Sequence, residues 1–148
     1  MIEVSRDVPA PPEVVFRVLA DGWTYPAWVV GNTRVRHVDP GWPDTGARLH
    51  HSTGAWPWQV RDVTTVRAVL ANRMVELDAR VWVLGGVIVR FTLTPLPGDR
   101  TRIVMAEQAV RGWLGLVPSW LQGFAWRARN RETLSRLADL VAARAGEG

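Results

Sequence analysis

Apolar and polar positions alternate from the second residue. Ile2, Val4 and Val8 stand against Glu3, Ser5 and Asp7, the period-two pattern of a strand with one buried face. Pro9, Pro11 and Pro12 end it. From Pro12 the spacing turns helical, with Val15, Val18 and Leu19 on one side and Phe16 adjoining. A proline suits that start, because its missing donor would be unpaired in a first turn anyway. Asp21 and Gly22 close the helix. Residues 23–30, with Tyr25, Pro26 and Trp28, are too few and too aromatic for an ordinary amphipathic helix, and predict a brief second helix or a tight corner.

Beyond the corner come stretches rich in valine, threonine and tryptophan, which fit a pleated, half-buried surface. Strands are expected near 33–39, 47–54, 58–70, 73–82, 87–95 and 101–110. The separators at 40–46, 54–57, 71–72, 85–86 and 97–99 hold turn-forming residues. Connections so short join antiparallel neighbours, since a parallel pair needs a crossover of a dozen or more residues. A two-residue turn at Gly85 and Gly86 would set Arg80 opposite Phe91. It would also require a bulge near Arg80 if Val75, Leu77, Ala79 and Trp82 are all to face inward.

A long helix is expected at 118–145. With Leu134 at the centre of its buried stripe, steps of three and four bring in Trp120, Gly123, Arg127, Asn130, Leu137, Ala138 and Val141. The second half of that stripe reads as core. The first half mixes an aromatic ring, a gap and two polar groups, as expected if it roofs a cavity.

Composition narrows the function. At 148 residues the chain is expected to form one domain, 1–148, able to bury roughly 70% of its unfolded surface. It has no cysteine, so disulfides, thiolate metal sites and thiol nucleophiles drop out together. All 18 basic residues are arginine, spread among 14 acids for a net charge of +4. That dispersal argues against nucleic-acid binding, which concentrates charge on one face, and the lack of lysine removes Schiff-base chemistry. Charged residues at 3, 6 and 7 break any export signal at the start. The longest apolar run, 81–89, is too short to span a bilayer. A cytoplasmic protein without stable membrane insertion is the expectation. No sequence motif specifies an oligomeric state.

The order of one strand, two short helices, six strands and one long helix resembles the START-like, or SRPBCC, superfamily, often labelled polyketide cyclase/dehydrase. The residues that carry the likeness are IEVSRDVPAPPEVVFRVLAD at 2–21, YPAWVVG at 25–31, PDTGARLHHSTG at 43–54, TLTPLPGDRTRIVM at 92–105, and the terminal helix. The resemblance implies an α+β helix-grip fold: a curved seven-stranded antiparallel sheet wrapped around a long carboxyl-terminal helix, with two short helices after the first strand. It also implies an internal pocket for a lipid, a polyketide or another apolar molecule. Members include carriers, cyclases, stress proteins and chaperone co-factors, so the fold does not fix the activity.

Nine tryptophans are a large aromatic payload, and each carries one donor in need of a partner. Trp28 on the corner, Trp58 on a central strand and Trp120 on the roof are the candidates for the cavity wall; most of the others read as core. His50 and His51 are neighbours on a strand, point to opposite faces and cannot share a metal ion. If Leu49 faces inward, so does His51, either as a pocket donor or as a histidine satisfied by the backbone. Glu107 is in phase with Ile103 and Met105 and points into the pocket if they are buried. It is then an acid or base candidate, or the structural partner of an arginine. Arg127 and Asn130 could hold a ligand oxygen or anchor Glu107. The stretch 112–124 is apolar and punctuated by glycine, and reads as a cap on the pocket mouth, a lid, or a surface that touches membrane. No phosphate-binding glycine loop, nucleophile elbow or acid cluster is present, so neither a metal nor a cofactor is expected.

Three functions follow as expectations. The first is a carrier or sensor of a hydrophobic small molecule. The second is a cyclase or dehydratase using His51, Glu107 and Arg127. The third is a protein-interaction module of the chaperone-activator type, which would expose an apolar patch in place of a pocket.

Overall fold

The computed structural model describes residues 2–53, 60–81, 85–111 and 119–147. Strand β1 (Ile2–Val8) leads into helix α1 (Pro12–Ala20). A single 3-10 turn (Gly22–Thr24) then runs directly into the four-residue helix α2 (Tyr25–Trp28). Six strands follow: β2 (Asn32–Val38), β3 (Arg48–Thr53), β4 (Val60–Leu70), β5 (Met74–Val81), β6 (Gly85–Leu96) and β7 (Arg100–Arg111). Helix α3 (Ser119–Glu147) ends the chain.

The strands form one curved antiparallel sheet in the order β1-β7-β6-β5-β4-β3-β2, so the first strand closes onto the last. The short turns foreseen at 71–72 and 97–99 join β4 to β5 and β6 to β7 as antiparallel neighbours. Between β5 and β6 the register runs without interruption, from Met74 opposite Thr92 to Val81 opposite Gly85. This corrects the expected turn. Arg80 lies across from Gly86, not Phe91, and Val75, Leu77 and Ala79 share a face with Phe91, Val89 and Val87 without a bulge in this ladder, while Trp82 lies outside the described residues. The bulges lie within the β2–β3 ladder, between Val66 and Ala68 in the β4–β5 ladder, and in the β6–β7 ladder, where Gly86 faces Arg111 and Val87 faces Ala109. An extra residue there bends the strand and sharpens its twist, which helps the sheet curl.

The core lies between the inner face of the sheet and the helices. Val15, Val18 and Leu19 of α1 are buried with Leu134, Leu137 and Val141 of α3, against Val8, Leu93 and Ile103 of the sheet. Glycine is required at position 22 by close approach, because a Cβ there would come within 2.9 Å of Leu49 Cδ1 and 3.0 Å of Val38. That contact seats the corner against β2 and β3.

Candidate functional site

The corner is built around three aromatic rings. Tyr25 and Trp28 lie 4.6 Å apart between ring centroids, and Trp42 meets Tyr25 edge-on at 5.7 Å. Each polar handle is satisfied: the Tyr25 hydroxyl and Trp42 Nε1 both donate to the Leu19 carbonyl, and Trp28 Nε1 donates to Thr24 Oγ1 at 3.1 Å. Trp28 is fully buried and meets Phe91 of β6 edge-on at 5.6 Å. The corner is pinned to α3 as well, where the Val30 amide donates to Thr133 Oγ1 at 3.2 Å.

Beneath this corner and α3 lies a cavity of about 110 Å³. Trp28, Leu77, Val89, Phe91 and Met105 give it an apolar wall, and His51, Thr64, Glu107, Arg129 and Thr133 give it polar groups. The wall follows from strand phase, since Leu77, Val89 and Phe91 all sit on the inner side of the β5–β6 ladder.

Glu107 is the most deeply set acid here, with 2% of its surface exposed. Arg129 Nη2 donates to both of its carboxylate oxygens, at 2.6 and 2.9 Å, and Asn130 Nδ2 donates to Oε2 at 2.6 Å. These three donor contacts tie β7 to α3 and neutralise a carboxylate that burial alone would make costly. His51, on β3, shares a 2.8 Å hydrogen bond between Nε2 and Thr64 Oγ1 of β4. Burial pushes its pKa below that of an ordinary histidine; the carboxylate of Asp62 pulls the other way, while Arg36 and His50 add to the depression. The ring is therefore neutral at neutral pH, with one nitrogen a donor and the other an acceptor. Two further polar atoms on cavity-lining residues, Asn32 Oδ1 and Arg129 Nε, are buried without a hydrogen-bond partner among the described residues.

Of the residues singled out from the sequence, the structure brings Trp28, His51 and Glu107 to the cavity and sets Asn130 directly behind, on Glu107. Trp58 lies outside the described residues. Trp120 and Arg127 are not at the cavity: Trp120 is 75% exposed and Arg127 also faces solvent. Both stand on the expected helical stripe, but the elements that cover that stripe around Leu134 and Ala138 do not extend to them. The arginine on Glu107 is instead Arg129, on the flank of α3 shared with Thr133. Sequence reasoning also missed Thr64, whose signal was its phase: it alternates inward with Val66.

A curved antiparallel sheet gripping a long terminal helix above a cavity defines the helix-grip class of the START-like superfamily. More particularly, the chain belongs to the polyketide cyclase/dehydrase and lipid transport family, whose model matches residues 1–142. Solved structures agree on the fold. Protein NE0264 from Nitrosomonas europaea superposes with a TM-score of 0.75 at 13% identity, over 98% of this chain and 96% of that one. The Zhui aromatase/cyclase from a Streptomyces species gives 0.72 at 16% identity, over 97% and 94%. Ara h 8.0201 gives 0.70 at 12% identity, over 96% and 97%. No curated protein sequence matches the chain.

Proposed function

We propose that this protein binds a hydrophobic small molecule, a lipid or polyketide-like compound, in the cavity beneath α3 and acts as its carrier or sensor. The observation that carries the reading is the contrast within the cavity: an apolar wall of Trp28, Leu77, Val89, Phe91 and Met105, and a few polar groups fixed in place, His51 on Thr64 and Glu107 on Arg129. Such a wall with a small number of fixed polar groups is the usual make-up of a small-molecule site. Family membership supports the same reading. At about 110 Å³ the cavity is smaller than the roughly 150 Å³ engineered cavity that holds benzene, so a compound of lipid or polyketide size enters only as the cavity widens.

Titration with a panel of fatty acids and aromatic polyketides tests this, read by native mass spectrometry and by tryptophan fluorescence. Ala79 also lines the cavity, so saturable one-to-one binding is expected and Ala79→Phe, which fills the space, should weaken it at least about tenfold. Binding to no member of the panel, or binding indifferent to the filled cavity, would remove the proposal.

A cyclase or dehydratase is the second reading, favoured by one observation: a buried neutral histidine and a buried carboxylate line the same cavity. The exposed Arg127 has no part in it. Turnover of a polyketide substrate that His51→Gln abolishes, with ligand binding retained, would replace the carrier with the enzyme.

A further inference from the structure

The amino-terminal half of α3 carries an exposed stripe unrelated to the cavity. Trp120 and Phe124, one turn apart, have 75% and 79% of their surface open to solvent. Steps of three and four along the same face reach Arg127 and Arg131, both exposed and neither in an ion pair among the described residues. At 100° per residue the four positions fall within about 60° of one another, and they extend about 16 Å along the helix. No acidic residue occurs from position 119 to 131. The stripe thus joins two aromatic rings to two guanidinium groups, with no acidic residue among them.

We infer that this stripe docks α3 reversibly, lying flat, on an anionic lipid bilayer. An indole ring has an apolar body and a polar edge that suit it to the boundary between headgroups and acyl chains, and a phenyl ring beside it adds buried area. Guanidinium groups one and two turns further along then reach lipid phosphates, which they bind in a planar fork. Charge separates this occupant from a second copy of the chain, since a symmetric pairing of two such stripes would offer the four arginines no anion. No helix among the described residues is long and apolar enough to cross a membrane, which fits a surface contact. The inference stands whether the cavity holds a ligand or not.

Vesicle flotation of the full chain tests it. Vesicles of phosphatidylserine and phosphatidylcholine in equal parts should carry the protein, pure phosphatidylcholine much less, and added salt should release it. The double change Trp120→Ser with Phe124→Ser should lower anionic-vesicle binding at least about tenfold, and Arg127→Gln with Arg131→Gln should abolish the preference for the anionic lipid. Circular dichroism melts establish that these surface variants fold. Quenching of the unaltered protein's fluorescence by brominated lipid supplies a readout that needs no variant. Equal flotation with both vesicle types, or variants that float like the parent, would overturn the inference. So would a dimer in sedimentation that the aromatic double change dissociates, because the stripe would then belong to a second copy.

Discussion

The two halves of α3 share one helical stripe and meet different surroundings. Toward the carboxyl end, Leu134, Leu137, Ala138 and Val141 are buried against β1 and α1, and Arg144 reaches Asp21 at the close of α1. Toward the amino end, the positions two and four turns before Leu134 and Ala138 are Arg127, Phe124 and Trp120, and all are exposed. Burial is decided by what lies opposite a helical face, and periodicity alone does not say how far that partner extends. The carboxyl-terminal half therefore holds the fold together, and the amino-terminal half is free to serve the cavity on one flank and the surroundings on another.

The largest expected effect breaks that comparison at its most stable point. Leu137→Ala removes a fully buried side chain from the packed half and should cost about 2–5 kcal/mol, read as a lower urea midpoint at unchanged slope. Phe124→Ala, on the other half, should stay within about 0.5 kcal/mol of the parent. Equal losses from the two changes would mean that the halves are not as different as their exposure indicates.

The next effect lies at the junction of the halves. Arg129 is the partner of a carboxylate buried among apolar groups, and its own side chain is 37% exposed. Arg129→Met leaves that charge with Asn130 alone and should cost about 2–3 kcal/mol, somewhat less than the loss of a partner from a wholly buried pair. Adding Glu107→Gln should recover part of it. Arg127→Met should cost next to nothing, and a comparable loss at both positions would show that the contacts of Glu107 do not distinguish the two arginines.

How much of this was legible in the sequence follows the same division. The strand phases of β1, β5, β6 and β7 and the core half of α3 are periodic patterns with one buried face, and the order of elements left few ways to assemble them. Glu107 and His51 could be placed inward because Ile103, Met105 and Leu49 fixed the phase of their strands. Arg127 could not be told from Arg129, two residues away, because the choice rests on which flank of α3 meets β7, a tertiary matter. The expected turn at Gly85 and Gly86 misled for a related reason: two adjacent glycines read as a hairpin loop, whereas here both are already paired with β5, and Gly85 adopts a φ of 120° that favours glycine.

The smallest expected effect concerns the cavity under the amino-terminal half. His51 is held neutral by burial, so its pKa in the folded protein lies below the ordinary value of 6.5 that it regains on unfolding. Between those two values the unfolded chain binds the extra proton and the folded one does not, so stability must rise with pH. The contribution is fully present above 6.5 and is lost as the pH falls through that value toward the folded pKa. Urea midpoints from about pH 8 to about pH 5 should therefore fall more steeply for the parent than for His51→Gln, which keeps a polar group beside Thr64 but does not titrate. Every other titrating group is common to the two proteins, so the difference between the curves isolates this ring. Parallel curves would mean that water reaches His51 through the roof, and that the cavity is far more open than its walls suggest.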